Sequence, residues 1–155
     1  MIESDSESQR HRCRLVTVTA NPLSAFLTQR RLESMSNKAV VSLTTGLEDA
    51  EKVTVAFLVA VGAAEQQRET LMFLTKEAVR LALDGTIQGV ACEGCPPLPD
   101  LAARYKTAGG IYMVCPICFE AKHLDKDALV SNAELAGTVP MWKWIGDDGA
   151  VTFSY

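Results

Sequence analysis

Four of the five cysteines fall into two Cys-x-x-Cys pairs. The pairs are Cys92/Cys95 and Cys115/Cys118, whereas Cys13 stands alone near the N-terminus. Thiols at this spacing carry out nucleophilic or redox chemistry, or bind a metal ion. The odd cysteine count, the absence of a visible secretion signal and an apolar fraction sufficient for a core make structural disulfides unexpected. We therefore expect cysteine chemistry in this chain.

Cys115 occupies the position that best suits a nucleophile. The residues around it predict that a strand ends at Cys115 and that a helix begins at Pro116, because proline fits the first helical turn. As the N-cap, the Cys115 thiol faces unpaired backbone N–H groups, which stabilise a thiolate. Cys118 and Lys122 follow at one-turn intervals, so the three side chains share one helical face. Lys122 either assists the thiols or is a solvated charge near the helix C-terminus.

Two other chemistries are compatible with these cysteines. The pairs are separated by 19 residues, 96–114, which lies within the range of four-thiolate zinc sites, so Cys92, Cys95, Cys115 and Cys118 are alternative zinc ligands. Against zinc, each pair is predicted to follow a core strand, whereas zinc ribbons lack such a core. The third interpretation is dithiol/disulfide exchange, with Cys92 and Cys95 as a resolving pair. We prefer a site without metal.

Alternating strands and helices are predicted to position the cysteines. Apolar runs predict strands at residues 39–43, 70–75, 87–90 and 111–114. Helical spacing predicts helices at residues 48–67, 76–83, 98–107 and 116–124, with a short helical stretch at 127–129. A C-terminal strand pair, 139–145 and 151–155, is joined by a turn at 147–149. This order predicts a mostly parallel sheet with helices on both faces, and all four paired cysteines at the carboxyl ends of strands.

Composition and charge exclude several function classes. The net charge of -4, a pI near 5.2 and the lack of aromatic residues among the basic ones argue against nucleic-acid binding. The longest apolar run, residues 55–64, is half as long as a membrane span, so we expect no membrane insertion. Acidic Glu48 and Asp49 follow the turn at residues 44–46, and no nucleotide-binding motif occurs.

One domain accounts for most of the chain. With 155 residues, 48% of them apolar, the sequence is long enough to build one core, and we assign residues 37–155 to a single α/β domain. Residues 1–36 are acidic and arginine-rich without apolar periodicity. They are predicted to be a disordered extension, or to result from a mis-assigned start, with Met35 as the native first residue. No signal or transit peptide is recognisable, which predicts a cytoplasmic protein.

The segment from Gly110 to Leu124 resembles the DsrE/DsrF-like sulfur-relay family. The resemblance extends over roughly residues 38–135 and includes the turn at residues 43–46. In that family the cysteine after this strand accepts sulfur, with Cys or Ala three residues later and Arg or Lys seven residues later. Cys115, Cys118 and Lys122 match this order. The chain has Lys122-His123 where many members have Arg-Gly, and the better-known relay subunits lack the Cys92/Cys95 pair.

The resemblance implies a flavodoxin-like α/β fold and a sulfur carrier or transferase that forms a persulfide on Cys115. Cys118 would assist, and Cys92, Cys95 and Lys122 would support the same pocket. It also implies sulfur donor and acceptor proteins as partners, and a homo-oligomer, either trimer or hexamer. Thiol exchange needs no metal or organic cofactor. The alternatives are a zinc-stabilised, non-catalytic binding or scaffold module and a dithiol/disulfide redox protein.

Overall fold

Five strands form one all-parallel sheet in residues 36–155, the part of the chain that the computed structural model describes. The strands are β1 (Lys38–Leu43), β2 (Glu69–Leu74), β3 (Ile111–Val114), β4 (Ala133–Leu135) and β5 (Val151–Ser154). Their order across the sheet is β4-β3-β2-β1-β5. The predicted flavodoxin-like sheet is confirmed. The prediction of an extension or a mis-assigned start at the N-terminus lies outside the described residues.

Helices connect these strands. Among the described residues the α-helices are α1 (Ala50–Glu65), α2 (Leu98–Thr107), α3 (Pro116–Ala121) and α4 (Thr138–Ile145). Short 3₁₀ segments span Leu47–Asp49, Lys76–Ala82 and Lys126–Ala128. The Asp49 carboxylate accepts a hydrogen bond from the Lys52 backbone N–H at 3.0 Å, which fixes the start of α1. The predicted helices at residues 48–67 and 98–107 are confirmed. The segment predicted as a helix at residues 76–83 is a 3₁₀ segment, and the helix predicted at residues 116–124 ends at Ala121.

The sheet buries side chains on both faces, because successive residues of a strand point to opposite sides. On one face α1, α2, α3 and the 3₁₀ segment Lys76–Ala82 enclose a core of fully buried side chains that includes Val41, Phe57, Met72, Leu74, Leu101 and Phe119. On the other face α4 packs on a smaller cluster of Val40, Leu71, Phe73, Met113, Ala136 and Ile145. The prediction of helices on both faces is confirmed.

A buried tyrosine ties α2 to the sheet. The Tyr105 hydroxyl lies 2.9 Å from the Thr70 carbonyl oxygen and 2.8 Å from the Ile111 carbonyl oxygen, so it can donate to either strand. Burial raises the pKa of Tyr105, which therefore stays protonated and keeps its donor. A Cβ atom at Gly110 would overlap the Tyr105 ring. Glycine at position 110 is thus required for α2 to reach β3.

Two predicted strands are wrong. Residues 87–90 form turns, because Gly85 and Gly89 adopt left-handed φ values of 77° and 73° that bend the chain. Residues 139–145 belong to α4, and β5 runs parallel to β1, so the C-terminal strand pair does not exist. Pro140 falls in the first turn of α4, where a missing N–H is tolerated. The chain must also cross from β4 at one edge of the sheet to β5 at the other, which a hairpin cannot do.

Strand β4 was not predicted at all. It has three residues and pairs only with β3, at one edge of the sheet. Between residues 36 and 155 no helix combines the length and the apolar character that crossing a bilayer requires.

Candidate functional site

The carboxyl ends of β1, β2 and β3 lie side by side and bring three loops together. The Thr75 N–H donates to the Leu43 carbonyl at 3.0 Å, and the Cys115 N–H donates to the Leu74 carbonyl at 2.9 Å. These bonds extend the parallel ladder one residue beyond the strands. The loop after β1, the 3₁₀ segment after β2 and the start of α3 are consequently held at one edge of the sheet, where α/β proteins bind their ligands.

Cys115 lies between β3 and α3, at the predicted position. Its backbone is extended, with φ of -61° and ψ of 115°, and its carbonyl accepts the first helical hydrogen bond, from the Phe119 N–H at 3.0 Å. No side chain caps α3. Pro116 has no N–H, so the amides of Ile117 and Cys118 are the first-turn donors that lack an acceptor inside the helix. These two donors can stabilise negative charge on a sulfur atom at the N-cap.

Cys115 and Cys118 are free thiols that are neither fully buried nor fully exposed. Cys115 packs against both hydrophobic clusters, one on each face of the sheet, and Cys118 packs against the larger cluster. Ile117, between them, is 79% exposed. Contacts with the core thus hold both thiols, and an exposed apolar side chain lies beside them.

Lys122 pairs with Glu77, the second residue of the 3₁₀ segment after β2. Arg80 also contacts Glu77, at 3.1 Å. The hydrogen bond from Lys122, followed by that from Arg80, lowers the pKa of the Glu77 carboxyl. Lys122 is the C-cap residue of α3, so the helical face predicted for Cys115, Cys118 and Lys122 ends before the lysine. The ion pair between Lys122 and Glu77 therefore holds α3 against the 3₁₀ segment after β2.

Glu77 was not among the residues predicted for the site, because its contact with Lys122 depends on the strand order. Glu77 follows β2 and Lys122 follows the helix after β3, and these two strands are neighbours in the sheet. The Gly46 N–H donates to Glu48 Oε1 at 2.8 Å, and a Cβ at Gly46 would lie 2.9 Å from the Glu77 Cβ. The turn after β1 therefore packs directly against Glu77, which requires glycine at position 46.

Two residues next to this ion pair adopt left-handed backbone conformations that L-amino acids disfavour. They are Lys76, with φ of 49°, and His123, with φ of 52°. His123 follows the C-cap of α3, and Leu124 N–H reaches back to the Phe119 carbonyl at 3.4 Å, as in a Schellman motif. Glycine normally fills this position. The chain therefore forms this helix ending with histidine at a position where glycine is usual.

Cys92 and Cys95 form a disulfide in the loop between Lys76–Ala82 and α2. Their Cα atoms are 5.3 Å apart, and the Cys95 N–H donates to the Cys92 carbonyl in a turn that contains Gly94 at φ of 74°. The prediction that this pair follows a strand is wrong, because residues 87–90 are turns. A structural disulfide was unexpected, whereas a disulfide in this pair is compatible with the dithiol/disulfide alternative. Closing so short a loop contributes only about 2 kcal/mol in the loop-entropy relation, so the bond has a minor structural role.

The cysteine pairs differ in their surroundings. Cys115 and Cys118 pack against the core, whereas Cys92 and Cys95 belong to neither hydrophobic cluster. In residues 36–155 no group of three or more Cys, His, Asp or Glu side chains is arranged to hold a metal ion. The four cysteines of the zinc alternative do not converge in this structure.

Comparison with known proteins identifies the fold. The crystal structure of the YchN protein from E. coli superposes with a TM-score of 0.62, covering 78% of this chain and 100% of that one. The chain adopts the fold of YchN. The two sequences are 15% identical, so the similarity establishes the fold and not a shared activity. No family model and no curated protein sequence matches the chain.

Proposed function

We propose that the protein is a sulfur carrier or transferase that acts through a persulfide on Cys115. One observation carries the proposal: a free, partly buried thiol stands at the N-cap of a helix at the carboxyl edge of a parallel sheet with a DsrE-like arrangement. The unpaired amides of the first helical turn would stabilise the thiolate and, after loading, the persulfide anion.

Loading is a thiol exchange. The Cys115 thiolate attacks the outer sulfur of a donor persulfide, the sulfur–sulfur bond of the donor breaks, and a new one forms on Cys115. The donor leaves as a thiolate and takes up the proton of its persulfide. In the second half-reaction an acceptor thiolate attacks the outer sulfur on Cys115, which returns the Cys115 thiolate. Neither step needs a metal or an organic cofactor.

Cys118 offers a second way to discharge the persulfide. Its thiolate can attack the inner sulfur on Cys115, which forms a Cys115–Cys118 disulfide and releases hydrosulfide. Two further thiols or another dithiol must then reduce that disulfide. Lys122 and Glu77 serve in this proposal as positioning residues, because their ion pair holds α3 against the segment after β2. A reducing compartment such as the cytoplasm would keep Cys115 and Cys118 free.

Protein partners are part of the proposal. Ile117 is 79% exposed next to Cys115, so it suits the docking of a sulfur donor or acceptor protein. Val139 is 79% exposed and Trp142 is 65% exposed, and both belong to α4. This second apolar surface supports a homo-oligomer, a trimer or hexamer. Light scattering should give a mass of at least three chains, and substitution of Trp142 by Ser should reduce it.

The Cys92–Cys95 disulfide favours a second candidate, dithiol/disulfide exchange. One Cys-x-x-Cys pair is oxidised while Cys115 and Cys118 are reduced, which is the state expected of two pairs that exchange electrons. In that function the Cys115 thiolate of one chain would attack the Cys92–Cys95 disulfide of another, and Cys118 would then displace the mixed disulfide, which leaves Cys115–Cys118 oxidised and Cys92/Cys95 reduced. No sulfur atom would be gained or lost.

Mass spectrometry separates these functions. Protein purified without oxygen is incubated with a persulfide donor, and the peptides are mapped for a gain of about 32 Da, the mass of one sulfur atom. We expect the gain on Cys115, its loss in Cys115→Ala, and its retention in Cys92→Ala. Full loading of Cys115→Ala would contradict the proposal. A Cys115–Cys95 mixed disulfide without added sulfur would favour redox exchange, and one zinc per chain released only by a chelator would favour the zinc-stabilised module.

A further inference from the structure

A cavity of about 270 Å³ lies between α2, the turns after Lys76–Ala82 and the chain that leads into β4. Neither Cys115 nor Cys118 lines it, so it is separate from the thiol site. The apolar side chains that line it include Leu81, Leu83, Ile87, Pro99, Ala102 and Val130. β3 contributes Tyr112.

Tyr112 brings an unpartnered hydroxyl to this cavity. The residue is 3% exposed, and its ring packs against Tyr105 and Phe57 with centroids 5.1 and 6.1 Å apart. No group in residues 36–155 hydrogen-bonds the Tyr112 hydroxyl, and burial alone raises its pKa. Every fully enclosed side-chain oxygen and nitrogen atom in the described part of the chain has a partner, so the Tyr112 hydroxyl opens on the cavity. A polar group bound in the cavity would give this hydroxyl the hydrogen-bond partner that residues 36–155 do not supply.

The mouth of the cavity carries one charge of each sign. Asp84 and Lys106 both line it and are both exposed. In residues 36–155 neither forms an ion pair with another side chain. Gln88 and Asn132 add amide groups at the same rim. A ligand that has both an anionic and a cationic group would pair with both charges, whereas an ion of a single sign would be repelled by one of them.

We propose that this cavity binds a free aromatic α-amino acid with a polar group at the end of its side chain. The carboxylate would pair with Lys106, the ammonium with Asp84, and the ring would lie among the apolar walls with its polar tip at the Tyr112 hydroxyl. An engineered cavity of about 150 Å³ takes the six carbon atoms of benzene, so 270 Å³ takes about eleven non-hydrogen atoms. The side chain of such an amino acid fits inside, and its charged groups remain at the mouth.

Four related probes test the proposal by NMR titration of the full chain. They are L-tyrosine, L-phenylalanine, which lacks the hydroxyl, tyramine, which lacks the carboxylate, and 3-(4-hydroxyphenyl)propionate, which lacks the ammonium. We expect L-tyrosine to bind with a Kd of about 1 mM or lower, and each of the other three about fivefold more weakly. Chemical shifts should move at the cavity residues and not at Cys115.

Variants assign each contact. Tyr112→Phe keeps the ring and should remove the preference for L-tyrosine over L-phenylalanine. Lys106→Gln, on the surface, should remove the preference for L-tyrosine over tyramine. Asp84→Asn should remove the preference for L-tyrosine over 3-(4-hydroxyphenyl)propionate. Lys143→Gln, on α4 at the other face of the sheet, is the matched control and should bind as the wild type does. No shift change up to 2 mM L-tyrosine, about twice the expected Kd, or equal binding of all four probes, would overturn the proposal.

Discussion

Replacement of Gly46 by alanine should destabilise the fold and disturb the pair between Glu77 and Lys122. The new Cβ would lie 2.8 Å from Glu48 Oε2, 2.9 Å from the Glu77 Cβ and 3.0 Å from the Glu77 carbonyl oxygen. The Glu48 carboxylate can rotate away, but the Glu77 atoms belong to the 3₁₀ segment. Since carbon atoms pack at about 3.5 Å or more, that segment must retreat by about 0.6 Å.

The expected loss of unfolding free energy is about 1–3 kcal/mol, the range for an added methylene in packed surroundings. The backbone of Gly46 is extended, with φ of -102°, so strain does not contribute and the effect comes from the contacts alone. Urea denaturation followed by circular dichroism measures it. Loading of Cys115 with sulfur, measured on the same protein, tells whether the displacement of Glu77 reaches the thiol through Lys122.

Gly62→Ala is the matched control. Gly62 lies within α1, and a Cβ there would have no atom within 4 Å. Because alanine favours a helix over glycine, this variant should be more stable by about 0.5–1 kcal/mol. The same glycine-to-alanine change is thus expected to lower the stability of the protein at position 46 and to raise it at position 62. A Gly46→Ala protein as stable as the wild type would refute the close packing of the turn against Glu77.

Three further predictions concern named contacts. Tyr105→Phe removes the donor shared by the Thr70 and Ile111 carbonyls and should lower stability by about 1–3 kcal/mol in urea; an unchanged midpoint would contradict that bond. Glu77→Gln should be less stable than the wild type above pH 4.5, the usual pKa of the carboxyl, and the difference should shrink as pH falls through its lowered pKa, because the protonated wild type also lacks the charge. A difference independent of pH would exclude the ion pair as its cause. His123→Gly relieves a left-handed residue and should raise stability by about 1 kcal/mol, and a loss would show that the histidine side chain has a compensating contact.

The position of Cys115 followed from local sequence because the determinants are local. A β-branched and apolar run ends at Cys115, and Pro116 starts a helix with no need for distant contacts. The first and longest helix was equally readable, since Asp49 caps it and a long, mostly apolar stretch follows. The parallel sheet followed from the alternation of such elements.

The C-terminal part was misread because its local pattern is ambiguous. Trp142, Lys143 and Trp144 alternate in polarity as a strand would, yet they lie in α4. Long-range geometry decides between a strand and a helix, because the segment has to span one face of the sheet between strands at opposite edges. Strand β4 is too short to have a signal, and it exists only because the edge of β3 offers hydrogen-bond partners.

The sequence by itself determined the fold class, the strand-to-helix turn at Cys115 and the spacing of the thiol pairs, since each depends on residues within a few positions of one another. Only the tertiary structure decided that Glu77 pairs with Lys122, that Cys92 and Cys95 lie in a loop apart from a core strand, and that the Tyr112 hydroxyl opens on a cavity. These features join elements that are distant in the chain, and their contacts depend on the strand order, which residue spacing does not encode.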